Sequence, residues 1–131
     1  MKMQTALGIA VLVASSTTYG STATLIEGYR NAGAGPFSLD AGQSAWTQEH
    51  QSSGGVATRS CASCHGTDLT RAGRHVKTAK PIEPMALSVN PARLSDPNKV
   101  EKWFRRNCRW TLGRECTPQE KGDFIQFMTS Q

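Results

Sequence analysis

The sequence lacks the features of a nucleic-acid-binding or membrane-spanning protein. Its 131 residues have a formal net charge of +5, but the basic residues are scattered and form neither a Lys/Arg run nor an aromatic-interleaved platform. The apolar run at residues 6–14 is much shorter than the roughly 20 residues that a membrane-spanning helix needs. Internal repeats, low-complexity tracts and strand-like alternation are also missing. We therefore predict one small all-α domain whose mildly basic surface favours an acidic partner.

Residues 1–23 have the order of features that is typical of a secretory signal peptide. Lys2 provides a positive charge before the apolar run, and small residues ending at Gly20 or Ala23 offer two cleavage sites. A membrane anchor is the alternative, and the short apolar run disfavours it. We expect an exported, periplasmic protein in which residues 24–131 form the folded domain.

Capping residues and apolar periodicity predict helices near both ends of this domain. The first two are short, at residues 24–33 and from an Asp40 cap to about residue 50. The last two are better defined. One runs from an Asp96 cap to about residue 110, and the other begins with a capping box formed by Thr117 and Glu120.

Residues 61–65 read Cys-Ala-Ser-Cys-His, the attachment signature of c-type haem. On one helical turn, Cys61 and Cys64 reach the two vinyl groups of a haem and form thioethers. His65, the next residue, presents its imidazole to the iron as the proximal ligand. The motif therefore predicts one covalently attached haem c.

Three other interpretations of the motif are weaker. A thioredoxin-like redox pair would need a βαβ context, which the sequence does not show. A zinc site would need a second ligand pair at a matching spacing, and the eight-residue step from Cys108 to Cys116 fits poorly. A chance match is disfavoured by the export signal and by the loop that follows.

That loop, residues 66–96, holds three prolines and few periodic apolar positions, which is unusual unless it packs around something. With 37% hydrophobic residues the chain has little core of its own, and a buried porphyrin would supply the missing apolar centre. The side chains expected to pack around the haem, or around one another, are Trp46, Trp103, Phe104, Phe124 and Phe127.

The function depends on the second axial ligand of the iron. A permanent ligand makes an electron carrier, whereas a weak or absent one lets small gases bind. Met85 is the usual kind of ligand in small c-type cytochromes, but it follows His65 by only 20 residues, and a methionine packed on the haem edge is the alternative. His75 and His50 are less favoured, since a solvated loop histidine explains them as well.

Asn107 has a different context. Val100, Trp103, Phe104 and Asn107 are spaced i, i+3, i+4, i+7, which predicts that the amide lies on the apolar stripe of its helix. A buried amide must be satisfied. It is either a hydrogen-bonded core asparagine or a ligand of the iron or of a gas held there.

Three stretches of the sequence resemble the sphaeroides haem protein (SHP) family of c-type cytochromes, which is related to cytochrome c″. They read CASCHGTDLTRAGRHVKTAKPIEPMA, DPNKVEKWFRRNC and RECTPQEKGDFIQF, and they lie between Cys61 and Phe127. In that family the distal ligand is the asparagine directly before the first cysteine of the C-terminal pair, a position that corresponds to Asn107. The cytochrome c″ relatives have a histidine there, so this sequence is closer to the SHP branch.

The resemblance implies a small class I-like cytochrome c fold with a redox-gated gas site. Ferric iron is a harder acid that accepts an amide donor, and ferrous iron is softer and holds it poorly. Reduction is therefore expected to release Asn107 and to let oxygen, carbon monoxide or nitric oxide bind. Members of the family are described as binding oxygen in this way and as receiving electrons from a dihaem cytochrome.

A disulfide between Cys108 and Cys116 is the default in an exported chain, and the family carries the same bridge. A loop this short contributes about 2–3 kcal/mol in the chain-entropy model. Anchoring Cys108 would also limit how far Asn107 moves on release.

Two questions stay open. Arg71, Arg74, Lys77 and Lys80 either form a solvated loop or, in part, neutralise haem propionates and face an acidic redox partner. The leading hypothesis for the function is a monomeric electron-transfer protein that binds a diatomic gas. The alternatives are a simple shuttle with Met85 as permanent ligand and a small-molecule reductase. No acid–base pair beyond the distal amide is identifiable, so enzyme status is left open.

Overall fold

The structure, a computed structural model, describes residues 17–51, 55 and 57–131. The described helices are α1 (Thr17–Asn31), α2 (Leu39–Thr47), α3 (Ala62–His65), α4 (Pro97–Leu112) and α5 (Pro118–Thr129). Two antiparallel hairpins of two-residue strands connect them, β1 (His50–Gln51) with β2 (Thr58–Arg59), and β3 (Gly73–Arg74) with β4 (Pro81–Ile82). A 3₁₀ turn, Pro91–Leu94, leads into α4.

The prediction of an all-α fold is confirmed, because helices form the core and the strands are too short to show an alternating pattern. None of the helices within the described ranges is long and apolar enough to span a bilayer. Most of the predicted signal peptide, residues 1–16, lies outside the described residues, and α1 begins within its remaining part.

The N-terminal helices differ from the prediction at their ends. α1 begins at Thr17, before the predicted start at residue 24. The prediction that Asp40 caps α2 is wrong, since the Oγ of Ser38 accepts the Ala41 N–H at 3.2 Å. Ser38 has the extended backbone of an N-cap, and its own N–H donates to Asp123 Oδ1 at 2.8 Å, which fixes where α2 starts on α5.

The C-terminal helices begin as the sequence predicts. Asp96 caps α4 by accepting the Lys99 N–H. The helix ends at Leu112 and is followed by Gly113, which is in the left-handed conformation that favours glycine. Thr117 and Glu120 form the predicted capping box of α5. These local signals are confirmed because each depends on residues within one helical turn.

Close packing of α2 on α5 forms the core. A Cβ atom on Gly42 would lie 2.1 Å from the backbone oxygen of Asp123, so only glycine fits at this crossing. The approach brings Trp46 against Phe124 and Phe127, with ring centroids 6.0 and 5.9 Å apart in edge-to-face pairs. Three of the aromatic residues singled out in the sequence therefore pack on one another.

A polar contact ties α1 to α4 and α5. The hydroxyl of buried Tyr29 donates to Glu101, whose other carboxylate oxygen lies 2.7 Å from Lys121 Nζ. Burial, followed by the hydrogen bond to Glu101, raises the pKa of Tyr29 well above its ordinary value. The phenol is therefore a hydrogen-bond donor at any physiological pH, and it holds the middle of α4 in place.

The glycine at the α2–α5 crossing generates the first prediction. Gly42→Ala should destabilise the protein by about 1–3 kcal/mol, because the new methyl group meets rigid backbone. The matched control is Gly28→Ala in α1, where an added Cβ meets nothing within 4 Å and should stabilise the helix by about 1 kcal/mol. Urea unfolding followed by circular dichroism measures both, and equal effects would contradict the packing argument.

Candidate functional site

The Cys-x-x-Cys-His segment forms one helical turn. Cys61 precedes α3, Cys64 and His65 lie within it, and the His65 N–H donates to the Cys61 carbonyl at 3.1 Å. Both thiols are free and half-buried. Their i, i+3 spacing places them on the same side of the turn. This is the arrangement that two adjacent thioether bonds to one planar group require.

The Cys61 thiol does not have the properties of an attacking redox cysteine. Burial raises the pKa of Cys61 to about 11, whereas the attacking cysteine of a disulfide oxidoreductase has a lowered pKa. The zinc interpretation also fails, because the described residues contain no group of three or more His, Cys, Asp or Glu side chains that could hold a metal ion. Haem attachment is the chemistry that the segment fits.

The imidazole of His65 is suited to be a metal ligand. Burial, with a smaller contribution from the charge of Arg93, lowers its pKa to about 4, so the ring is neutral and has a free lone pair at pH 7. Its Nδ1 atom is enclosed and has no hydrogen-bond partner among the described residues. A neutral imidazole beside two free thiols is the donor set that a covalent haem needs, so these residues fit the cofactor.

Trp46 of α2 holds this imidazole. Its ring centroid lies 5.5 Å from that of His65, and its Nε1–H donates to the Gly66 carbonyl at 2.9 Å. Gly66 ends α3 with a φ of +73°, where other residues are strained. One buried indole therefore fixes both the ring and the backbone that follows it.

The loop after the motif packs directly on it. A Cβ atom on Gly73 in β3 would lie 2.2 Å from the Cys64 carbonyl oxygen and 2.8 Å from the His65 Cα, so the strand crosses the motif at the closest possible distance. Farther along, Arg93 donates from Nε to the Pro84 carbonyl at 3.1 Å and ties the end of the loop to its middle. Residues 66–96 thus wrap the site.

Asn107 is not on the buried face of α4. That face consists of Val100, Phe104, Cys108 and Thr111, with Phe104 stacked on Phe124 at 6.3 Å. Asn107 is exposed, one turn from Trp103, which is 43% exposed.

The prediction that Asn107 lies on the apolar stripe that packs is therefore wrong, which removes the alternative of a hydrogen-bonded core asparagine. The reason is the helix period, because residues 103, 107 and 110 form a second face that is displaced from the packed one. No hydrogen bond of the Asn107 amide occurs within the described part of the chain.

The other candidate ligands have partners in the fold. Met85 is half-buried against the core, and its N–H donates to the Leu69 carbonyl at 3.0 Å. His75 Nδ1 accepts backbone N–H groups at 3.2 and 3.3 Å, and His50 lies in β1 opposite Arg59. None of these contacts involves the Met85 thioether, so ligation by Met85 stays a prediction.

Cys108 and Cys116 are joined by a disulfide, with Cα atoms 5.6 Å apart. The bridge connects the buried face of α4 to the residue before the Thr117 cap of α5. Asn107 is therefore adjacent to a covalently anchored position.

Sequence reasoning missed a set of contacts around Trp110. The guanidinium of Arg59 lies 3.9 Å from the indole centroid, the His75 ring 5.7 Å and the Lys77 Nζ 6.0 Å. We call these four residues the Trp110 cluster. They come from three separate segments, so no local spacing could have indicated them.

A helical domain wrapped around a Cys-x-x-Cys-His turn, with free thiols and a neutral imidazole, is a c-type cytochrome. The relatives agree. A family model described as a domain of unknown function, DUF1924, matches residues 32–128. Cytochrome c-type protein SHP of Cereibacter sphaeroides is 42% identical over 111 residues, covering 85% of this chain and 84% of that protein.

Similar solved structures are also c-type cytochromes. Oxidised SHP, described as an oxygen-binding cytochrome c, matches with a TM-score of 0.77 at 41% identity, over 85% of this chain and 97% of that one. A solution structure of Methylophilus methylotrophus cytochrome c″, described as giving insight into haem-ligand detachment, matches with a TM-score of 0.75 at 30% identity, over 86% of this chain and 94% of that one. The chain belongs to the SHP family of c-type cytochromes, which confirms the resemblance, and it carries covalently bound haem c.

The role of Trp46 generates the second prediction. Trp46→Phe should lower the free energy of unfolding of the haem-loaded protein by about 1–2 kcal/mol, because the hydrogen bond to Gly66 and part of the packing on His65 are lost. Gln43→Ala is the control, since this exposed side chain lies on the same helix as Trp46 and its loss should change stability little. Urea titration followed by circular dichroism compares them, and an equal loss in both variants would contradict the assignment.

Proposed function

We propose that this chain is a periplasmic cytochrome with a single haem c, which transfers one electron and binds a diatomic gas at a position that Asn107 occupies only in the oxidised state. The observation that carries the proposal is the exposed amide of Asn107, which has no hydrogen-bond partner among the described residues and lies next to the anchored Cys108. It is supported by the description of a relative as an oxygen-binding cytochrome c.

Each residue of the site has a separate task. Cys61 and Cys64 hold the haem covalently, and His65 donates its neutral imidazole on the proximal side. The haem supplies an iron that accepts and gives up one electron and, when ferrous, has affinity for small gases. Trp46 and Gly73 keep the proximal ring from moving, so a change of ligation is confined to the distal side.

Asn107 provides the switch. Its amide oxygen is a hard donor, which ferric iron accepts and ferrous iron holds poorly. In a haem-loaded protein, reduction would release this amide, and the N–H₂ group of Asn107 would then be available to donate a hydrogen bond to a gas. Its movement would be short, because the next residue is buried and tied by the disulfide to the start of α5.

Export, partner and assembly complete the proposal. The features of residues 1–23 are those of a signal peptide, and delivery to the periplasm would place the chain where haem c proteins with disulfides are made. By family resemblance the donor is a dihaem cytochrome. The chain would act as a monomer, and we assign it no enzymatic reaction.

The ferrous state generates the third prediction. After reduction with dithionite, the absorption spectrum should be that of high-spin, five-coordinate haem, and carbon monoxide should bind rapidly in stopped-flow experiments. The physical reason is that Asn107 has left and no other side chain replaces it. A low-spin ferrous spectrum without carbon monoxide binding would instead support the electron shuttle with Met85 as ligand.

The ferric state generates the fourth prediction. Asn107→Ala should convert low-spin ferric haem to the high-spin form, since the amide donor is removed, as seen by absorption and electron paramagnetic resonance. Asn98→Ala is the matched control, an exposed asparagine on the same helix that should leave the spectrum unchanged. Asn107→His should restore a low-spin ferric spectrum. An unaltered ferric spectrum in Asn107→Ala would refute ligation by this residue.

A further inference from the structure

The Trp110 cluster gathers cations on one aromatic ring. Arg59 lies 3.9 Å from the indole centroid, close enough for a strong cation–π contact, and the Lys77 Nζ lies at 6.0 Å. His75 accepts two backbone N–H groups of the hairpin tip, and these turn its ring toward the same indole. The positive charges of Arg59 and Lys77, which come from separate segments, are therefore held close together by the indole of Trp110 and not by a carboxylate.

These charges are not neutralised, in contrast with their neighbours. Arg109, Arg114 and Lys121 each pair with a glutamate at 2.5–2.7 Å. Neither Arg59 nor Lys77 has an acidic partner in the described ranges. The hairpin, residues 73–82, has three Lys or Arg residues and no carboxylate, and Asp68 and Glu83 lie outside it. Unpaired like charges repel one another, so this arrangement costs stability unless an anion meets it.

An exposed apolar side chain lies at the tip of the same hairpin. Val76, between His75 and Lys77 in the sequence, is 50% exposed. An apolar side chain beside charges of one sign is typical of a transient protein interface, where the charges steer the encounter and the apolar part desolvates.

The cluster is connected directly to the haem-binding turn. Arg59 precedes Cys61 by two residues, and the hairpin that carries His75 and Lys77 starts at Gly73, pressed against Cys64. An electron entering here would therefore have a short covalent and packed route to the thioether side of the cofactor.

We propose that the Trp110 cluster, together with the adjacent exposed Val76, is the docking surface for an acidic electron-transfer protein. This inference rests on the proposed electron-transfer function and adds the place and the charge of the partner. The positive cluster attracts carboxylates on the partner, orients it with its redox group toward the Cys61–Cys64 side, and releases it when salt screens the attraction.

The test compares two inorganic oxidants of opposite charge. The ferrous protein gives one electron to hexacyanoferrate(III), which becomes hexacyanoferrate(II), or to tris(phenanthroline)cobalt(III), which becomes the cobalt(II) complex. At about 10 mM ionic strength, Lys77→Gln and Arg59→Gln should each slow the anionic oxidant about threefold to fivefold and speed the cationic one similarly. The double variant should show a larger change, and about 0.5 M salt should abolish it.

Lys102→Gln is the matched control. This lysine is exposed on α4, about 12 Å along the helix axis from Trp110, and has no acidic partner in the described part of the molecule. Its substitution removes the same net charge and should alter both rates less than about 1.5-fold. As a mimic of the partner, poly-L-aspartate should inhibit oxidation by hexacyanoferrate(III) in the wild-type protein and not in the double variant.

The possible results separate the hypotheses. Equal effects of Lys77→Gln and Lys102→Gln would overturn the docking surface. Rates that change in the same direction for both oxidants, together with a shifted midpoint potential, would assign the cations to the haem propionates and overturn it as well. Absence of the carbon monoxide reaction in the wild-type protein would instead refute the gas-binding function. The docking proposal could still be judged from the oxidation rates.

Discussion

The hold of Trp46 on the His65 turn is the interaction on which the site depends. A four-residue helix is not stable by itself, because the free energy needed to nucleate a helix exceeds what the hydrogen bonds of a single turn contribute. The geometry of Cys61, Cys64 and His65 therefore has to come from outside the turn. Trp46 provides it on one side and Gly73 on the other. Trp46 is itself placed by the contact of Gly42 with α5, so a glycine far from the motif in sequence determines how its imidazole sits.

The distal helix is restrained differently. α4 is fixed by its Asp96 cap, by the Tyr29–Glu101 hydrogen bond and by the disulfide at Cys108, and all of these act on its ends or on its buried face. The face that carries Asn107 also carries Trp110, which packs against Arg59 and His75, whereas the Asn107 amide has no hydrogen-bond partner among the described residues. In the proposed switch, ligation would change by a movement of that side chain and a small part of the backbone. The core would then not need to repack.

Sequence information was sufficient where the signal is local. The haem motif, the capping box at Thr117 and the Asp96 cap are each encoded within a few residues, and each lies where predicted. Asn107 was placed on the wrong face because Val100, Trp103 and Phe104 define two adjacent stripes, and only packing against Phe124 selects one. Such a selection depends on residues far along the chain, which periodicity does not report.

Long-range contacts also explain the two other misses. Ser38 and Asp40 are both good N-cap residues, and the hydrogen bond from Ser38 to Asp123 on α5 decides between them. The Trp110 cluster combines residues 59, 75, 77 and 110, and no segment of the sequence contains more than two of them.

The distribution of charge follows from the same long-range packing. A net charge of +5 is a property of the whole chain and could be spread evenly. The fold instead neutralises Arg109, Arg114 and Lys121 with glutamates on and around the last two helices. The positive charges of Arg59 and Lys77 remain beside the haem-binding turn. They lie over the Trp110 ring, which attracts cations but carries no negative charge to neutralise them. A positive field beside the haem-binding turn attracts an anionic surface. Which cations the fold pairs with glutamates therefore determines where an acidic partner would meet the molecule.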